Sequence, residues 1–346
     1  MFSFARTVMD YIQSTTGLKV RPQSLIGGIR EKDGTKMQEK KISQNHHSSH
    51  THIAHTTLHN ALLSYQQSLA AVQSLSADPV SIKLIEEEFV YALSQYCACV
   101  SLRDGRKLMI RPILPNDIDR MKEALTSGEV SQKSLSFRFN AVTVGVKEHQ
   151  LLYFTNIDYN THFAIAALVK EGDSWKGVAT ARFIEDSETP SVAEWAAIVL
   201  DRYHAVGIGS ILLFFISTMA HHFDIKQLEA IVHDENYPVL HWMKKVNATR
   251  QLRGDSRYWV FHTPLGDDWL KDGSARDSIR RAACGDGSVD EECLEELRRT
   301  IRNLHHSPIA AGRETSDHVD LAGVKEKRGA PSVSFVSSFE DELDIG

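Results

Sequence analysis

The sequence predicts an α/β (α+β) fold in which a mixed, mostly antiparallel, twisted sheet is flanked by helices, with extra helices at both ends. Short strand-like runs follow one another in the middle of the chain, at Phe163–Val169, Gly177–Ile184 and Val192–Val199. The links between them, Glu171-Gly172-Asp173 and Ser187-Glu188-Thr189-Pro190, are turn-forming and short. Links of that length join antiparallel neighbours, because a parallel pair needs a crossover of a dozen or more residues. After Val199 the pattern changes to alternating helix and strand, as in a sheet continued by crossovers.

Five regions follow from the pattern. Residues 1–52 read as a flexible N-terminal segment, with Gly27-Gly28, the run Glu39-Lys40-Lys41, and His46, His47, His50 and His52 set among Ser, Thr and Asn. The histidine spacing matches no defined metal-ligand set, so solvated linker is the reading preferred over a metal site. Residues 53–100 read as a helical hairpin. Leu58, Leu62, Tyr65, Leu69 and Val72 recur at steps of three and four, and Ile82, Ile85, Phe89 and Leu93 do so after Asp78-Pro79. The hairpin, over 53–96, either packs on the next domain or offers a partner-binding or autoregulatory contact.

Residues 101–265 carry the sheet. Lys107–Arg111 and Leu151–Phe154 read as strands with a helix from Asn116 to Leu125 between them, opened by Pro115-Asn116-Asp117. Beyond the three central strands, Gly207–Phe223 reads as helix, Leu228–Val232 as strand, Tyr237–Val246 as helix and Tyr258–Phe261 as strand. Residues 266–305 read as a helical extension, with the capping-box pattern Ser288-Val-Asp-Glu291 before Cys293, Leu294, Leu297 and Ile301. Residues 306–346 mix Gly, Ser, Pro and charge and read as a disordered tail.

Composition narrows the function. A content of 42% hydrophobic and 24% charged residues is that of a soluble globular protein. The net charge of −6 supplies no cationic field for nucleic acid. The longest apolar run, Ile211–Ile216, is far too short to span a bilayer, and Met1–Gln13 has no long apolar segment of the secretory kind. Cys97, Cys99, Cys284 and Cys293 form neither a disulfide framework nor a spaced zinc set, so reduced thiols and a cytoplasmic location are expected, with no metal.

The chemistry concentrates after Val199. The stretch His204-Ala205-Val206-Gly207-Ile208-Gly209-Ser210 lies between a strand and a strongly apolar helix. A tight glycine loop feeding a helix directs unpaired backbone amides and the positive end of the helix dipole at one point, which suits a pyrophosphate. Glycine allows close approach of the phosphate and a positive φ. By itself, Gly-x-Gly before a helix is equally an ordinary turn. Upstream, Glu194 shares a strand face with Val192, Ala196 and Ile198. A carboxylate among apolar neighbours is costly unless used or paired, and burial moves its pKa toward the range of a general base. The simpler alternative is a pair with Arg182.

Val199, Gly207 and Gly209 stand as in Val-x-x-x-x-[Arg/Gln]-x-x-Gly-x-[Gly/Ala], and the chain there resembles the acyl-CoA pyrophosphate motif of the GNAT acetyltransferases. Leu102-Arg-Asp-Gly105, Ile110-Arg-Pro-Ile113 with Asp117, Ser134-Leu-Ser-Phe-Arg-Phe139, Thr155-Asn-Ile-Asp-Tyr159 with His162, Leu228-Glu-Ala-Ile-Val232, and Glu235-Asn236 followed by Met243 are similar to the bacterial Pat-like protein-lysine acetyltransferases. The resemblance implies a GNAT fold and acetyl-CoA as co-substrate. It implies an N-acetyltransferase (acyltransferase, EC 2.3.1-type) for a protein-lysine or small-amine acceptor. It also implies Glu194, within Ala193-Glu194-Trp195-Ala196, as general base, pantetheine contacts at Ile198 and Val199, and Asn236 capping its helix and reaching the cofactor. The chain departs from the motif at His204, where the family has Arg or Gln; backbone donors then carry more of the binding, and Arg202 reads as an exposed charge. No general acid is assigned, since Tyr237 adjoins Pro238. The alternatives are a small-molecule amine acetyltransferase and a catalytically inactive acyl-CoA-binding regulatory module.

Overall fold

The computed structural model describes residues 46–74, 79–139, 146–252, 258–263 and 273–304. The tail expected over 306–346 and the flexible segment expected up to residue 45 lie outside the described residues. Helix α1 spans His46–Ser74, so it begins inside the stretch read as linker and carries His46, His47, His50 and His52. Once the apolar stripe from Leu58 to Val72 nucleates a helix, extending it toward the N-terminus costs little per residue, and polar residues join it. That stripe is buried, as are Ile85, Phe89 and Leu93 of α2 (Pro79–Ser94). Tyr65 of α1 stacks on Phe89 of α2 with ring centroids 4.3 Å apart.

Among the described residues eight strands form one sheet: β1 (Ala98–Ser101), β2 (Lys107–Pro112), β3 (His162–Glu171), β4 (Ser174–Glu185), β5 (Val192–Val199), β6 (Gln227–His233), β7 (Thr249–Leu252) and β8 (Tyr258–Thr263). Their order is β1-β2-β3-β4-β5-β6-β8-β7, and every pairing is antiparallel except β5 with β6. The structure adds β1, across the boundary expected at residue 100, and β7, neither of which the sequence pattern announced.

Helix α3 (Ile118–Thr126) follows a 3-10 turn at Pro115–Asp117; α4 spans Gln132–Phe139 and α5 spans Glu148–Thr155. The strand expected at Leu151–Phe154 is thus a correction: the segment is helical. Gln150 folds its side-chain oxygen back onto the Lys147 amide at 2.9 Å, stabilising the first turn. Leu151, Phe154 and Thr155 are buried at helical spacing while Tyr153 is exposed. Four apolar residues fit either period, and the cap decides between them.

Register divides the sheet into two faces. Phe163, Phe183 and Trp195 lie on one, covered by α6 (Ile208–His222), α7 (Tyr237–Lys245) and α8 (Ser274–Ala283), where Phe223 meets both Phe163 and Phe183 and Trp195 meets Trp242. Helix α6 is apolar on nearly all sides and correspondingly buried. The opposite face runs through Arg111, Ala166, Thr180 and Ile198 in one row and His162, Ile184 and Glu194 in another, beneath α3, α4 and α5. Helix α9 (Glu291–Leu304) packs on α2. No helix among the described residues is long and apolar enough to cross a membrane.

Candidate active site

Strand β5 pairs with β4 from Ala193 to Val199 but with β6 only at Val192, Ala193 and Glu194. Past Glu194 the two parallel strands part, and the second half of β5 keeps one edge without a strand partner. Three bonds show which backbone groups face that opening. The Asp186 amide donates to Val192 O (2.8 Å), the Leu200 amide to Val178 O (2.8 Å), and the Lys226 amide to Ser191 O (2.7 Å). Even-numbered residues of β5 therefore turn their N–H and C=O toward β4, and odd-numbered ones away from it. Val199 and Ala197 face the opening. Ile198, expected to bind pantetheine through its backbone, is directed at β4, a correction that follows from strand alternation.

The chain leaves β5 through a 3-10 turn at Asp201–Tyr203. Asp201 anchors it to the start of α4, accepting from the Ser131 amide (3.0 Å) and Ser134 Oγ (3.1 Å). The Arg202 guanidinium lies over the Tyr203 ring at 4.7 Å and pairs with Glu171 at 2.8 Å, so its charge is engaged on the far side of the turn. His204 places Nε2 3.0 Å from Val199 O, on the open edge. Ala205 (φ 63°) and Gly207 (φ 93°) both take left-handed backbone. An ideal Cβ at Gly207 meets nothing within 4 Å, so its conformation rather than crowding calls for glycine. Gly207 is the N-cap of α6, and the first bond of the helix runs from the Ile211 amide to Gly207 O (3.1 Å). The amides of Ile208, Gly209 and Ser210 precede it and have no acceptor within the helix.

Glu194 lies about 16 Å along the strand from Val199, at roughly 3.3 Å per residue. Val192 and Glu194 are half-buried, Ala196 and Ile198 buried. Arg138 of α4 is a charged neighbour of the carboxylate. Burial holds Arg138 down to about 10, with Glu194 pulling it back up. Arg182 donates to Phe154 O (3.3 Å) and contacts His162 Nε2 (3.3 Å); burial and the Arg138 charge lower it to about 9. His162 is held down to about 3 by burial and Arg182, hence neutral, with its ring 5.4 Å from that of Tyr153. Both guanidinium groups lie over the Phe154 ring, at 5.5 and 4.7 Å. Tyr153 is 47% exposed, and the partial burial of its phenol raises its pKa, with Glu194 adding to the rise. Arg138, Tyr153, Arg182 and His162 thus form one cluster, in which Arg138 and Tyr153 act electrostatically on Glu194, a grouping sequence spacing did not reveal.

Asn236 stands at the N-cap of α7 and is buried, but its side chain makes no capping bond, contrary to expectation. Tyr237 is 70% exposed. Beneath α3, a cavity of about 50 Å³ lined by Met121, Leu125, Thr180, Ile198 and Leu200 is far smaller than a ligand pocket and reads as a packing gap.

No family model matches this chain. It is 30% identical over 149 residues to the acetyltransferase Pat of Mycolicibacterium smegmatis, covering 43% of each protein. It is 26% identical over 131 residues to an acetyltransferase of Pseudomonas aeruginosa, covering 38% of this chain and 69% of that one. The chain therefore spans less than half the length of the first of these relatives. Among solved structures, the GNAT domain of the S. lividans PAT aligns with 25% identity and a TM-score of 0.44, over 48% of this chain and 96% of that one. A cAMP-binding acyltransferase from Mycobacterium smegmatis aligns at 21% identity and a TM-score of 0.37, over 65% and 66%.

Proposed function

We propose that this chain, whose central region is a GNAT-type domain similar to the Pat-like acetyltransferases, transfers an acetyl group from acetyl-CoA to an amine, with a protein lysine as the acceptor. The parting of β5 and β6 after Glu194 carries the proposal, because it opens a strand edge between a carboxylate and an amide-lined helix start. The donor set fits the co-substrate. The amides of Ile208, Gly209 and Ser210, with the α6 dipole, hold the diphosphate. Ala197 and Val199 offer backbone groups to the pantetheine arm. His204, engaged with Val199 O, leaves the diphosphate to backbone donors.

Acetyl-CoA supplies the activated acyl group, which the free amine attacks with release of the CoA thiolate. Glu194, directly or through one water, takes the proton from the substrate ammonium and so creates that free amine. Amides on the open edge of β5 lie where the thioester oxygen gains charge. A CoA thiol resembles a free cysteine in acidity, with a pKa of about 8.5, and leaves without a dedicated acid.

The deciding experiment incubates the full chain with acetyl-CoA and a panel of proteins and small amines, following thiol release and acetylated products by mass spectrometry. Acetyl-lysine in protein supports the proposal. Acetylation of small amines alone overturns the lysine assignment, and tight acetyl-CoA binding without thiol release overturns catalysis in favour of a regulatory module.

A further inference from the structure

A second reactive centre lies where β1, an edge strand, meets the first turn of α9. The Sγ atoms of Cys99 and Cys293 and a carboxylate oxygen of Asp290 lie within 4.8 Å of one another. Both thiols are free. Asp290 accepts from the Cys293 amide at 3.1 Å and so holds that residue at the start of α9. Lys107, beside β1, reaches Asp290 and Glu292 with Nζ at 2.5 Å from each, which places an ammonium where a cation would collect its carboxylate ligands. That occupancy favours thiol chemistry over metal binding.

We propose that Cys99 and Cys293 form a hydroperoxide-sensitive dithiol whose oxidation joins β1 to α9. The two residues have distinct roles. Cys99 is half-buried and reachable; Cys293 is fully buried. The neighbouring Cys293 thiol and the Lys107 ammonium lower the Cys99 pKa, whereas the same thiol pairing raises that of Cys293. Cys99 is thus the attacking thiolate. Its sulfur attacks the O–O bond of a hydroperoxide, an S–O bond forms, and the departing alkoxide takes up a proton to leave as the alcohol, giving a sulfenic acid at Cys99. Cys293 sulfur then attacks Cys99 sulfur; the S–S bond forms, the S–O bond breaks, and the hydroxide leaves as water with the Cys293 proton. Two electrons pass from the thiols to the hydroperoxide. Cys97 is fully buried, and Cys284 is engaged by His222 Nε2 at 2.7 Å, so neither competes.

The test treats the full chain with equimolar hydrogen peroxide and maps non-reduced peptides. A single Cys99–Cys293 cross-link, reversed by dithiothreitol, is expected. Cys293→Ser should stop at a Cys99 sulfenic acid captured by dimedone, and Cys99→Ser should show no adduct, each checked for folding by circular dichroism. The wild-type map decides if a variant misfolds. A cross-link through Cys97 or Cys284, or four unmodified thiols, would overturn the proposal. Stoichiometric zinc that survives dialysis and shields both thiols would overturn it in favour of a metal site.

Discussion

Glu194 and Glu229 are partners on the last rung of the parallel ladder between β5 and β6, side by side on one face of the sheet. Glu229 is committed elsewhere: it accepts from Gln227 Nε2 at 2.7 Å and lies 3.5 Å from His262 Nε2. Glu194 stands at the point where the strands begin to part, under Arg138 and Tyr153. One carboxylate thus closes the ladder and the other borders the opening.

Glu194→Gln keeps the shape of the side chain and removes its basicity. We expect the acetyl-transfer rate to fall by about 10²–10⁴-fold, the usual range for a general base, with acetyl-CoA affinity unchanged. Glu229→Gln should cost less than about tenfold, since general-base catalysis does not pass through it. Steady-state kinetics with calorimetric acetyl-CoA titration reads both; equal losses in the two variants would refute the assignment of the base to Glu194.

Gly207 has φ of 93° with open space where a Cβ would stand. Gly207→Ala should lose about 1–2 kcal/mol of stability through left-handed backbone strain alone. Gly207→Glu should show a similar stability loss and, in addition, abolish acetyl-CoA binding by setting a negative charge beside the α6 amides. Urea unfolding and calorimetry separate the two effects, and full binding by Gly207→Glu would contradict a diphosphate site at this loop.

The contrast between these sites explains what sequence could show. The strand-to-helix turn from Val199 to Gly209 was legible because glycine spacing and the switch of pattern are local signals within a dozen contiguous residues. The helix at Glu148–Thr155 was not, since Leu151–Phe154 fits either period until Gln150 is seen to cap it. Strand β1 is four residues long and pairs with β2 alone, too short for any periodicity. Alternation showed that Glu194 and Ile198 share a face, yet not which sheet edge takes the backbone of Ile198. That depends on the neighbours of β5. The cluster of Arg138, Tyr153, Arg182 and His162 draws on four elements, and only folding brings them together.

His162 makes stability depend on pH with a definite sign. Its folded pKa is about 3, against an ordinary value of 6.5, so below that ordinary value the unfolded chain binds a proton that the folded chain excludes. The contribution is fully present above about pH 6.5 and is lost as pH falls toward 3. The slope is up to about 1.4 kcal/mol per pH unit, or roughly 2 kcal/mol between pH 7 and pH 5. His162→Gln should flatten this part of the profile in urea unfolding at stepped pH; an unchanged slope would show that His162 is already protonated when folded.

Arg111 and Asp117 test the scaffold beneath the site. The guanidinium meets the carboxylate through two bonds of 2.7 and 2.6 Å, with Arg111 wholly buried, and Asp117 also accepts from the Leu114 amide at 2.8 Å. The Arg111 charge holds Asp117 below the usual carboxylate range despite burial, so the pair stays ionised. Asp117→Asn strands a buried cation and should cost about 3–5 kcal/mol, whereas Arg111→Met with Asp117→Leu removes both charges and should cost distinctly less. Urea midpoints at neutral pH read the difference. Because Arg111 shares a row with Thr180 and Ile198 across the sheet, the destabilised single variant should also lower acetyl-CoA affinity, and the double variant should recover part of it. A single variant as stable as the double would mean that the pair contributes packing volume alone.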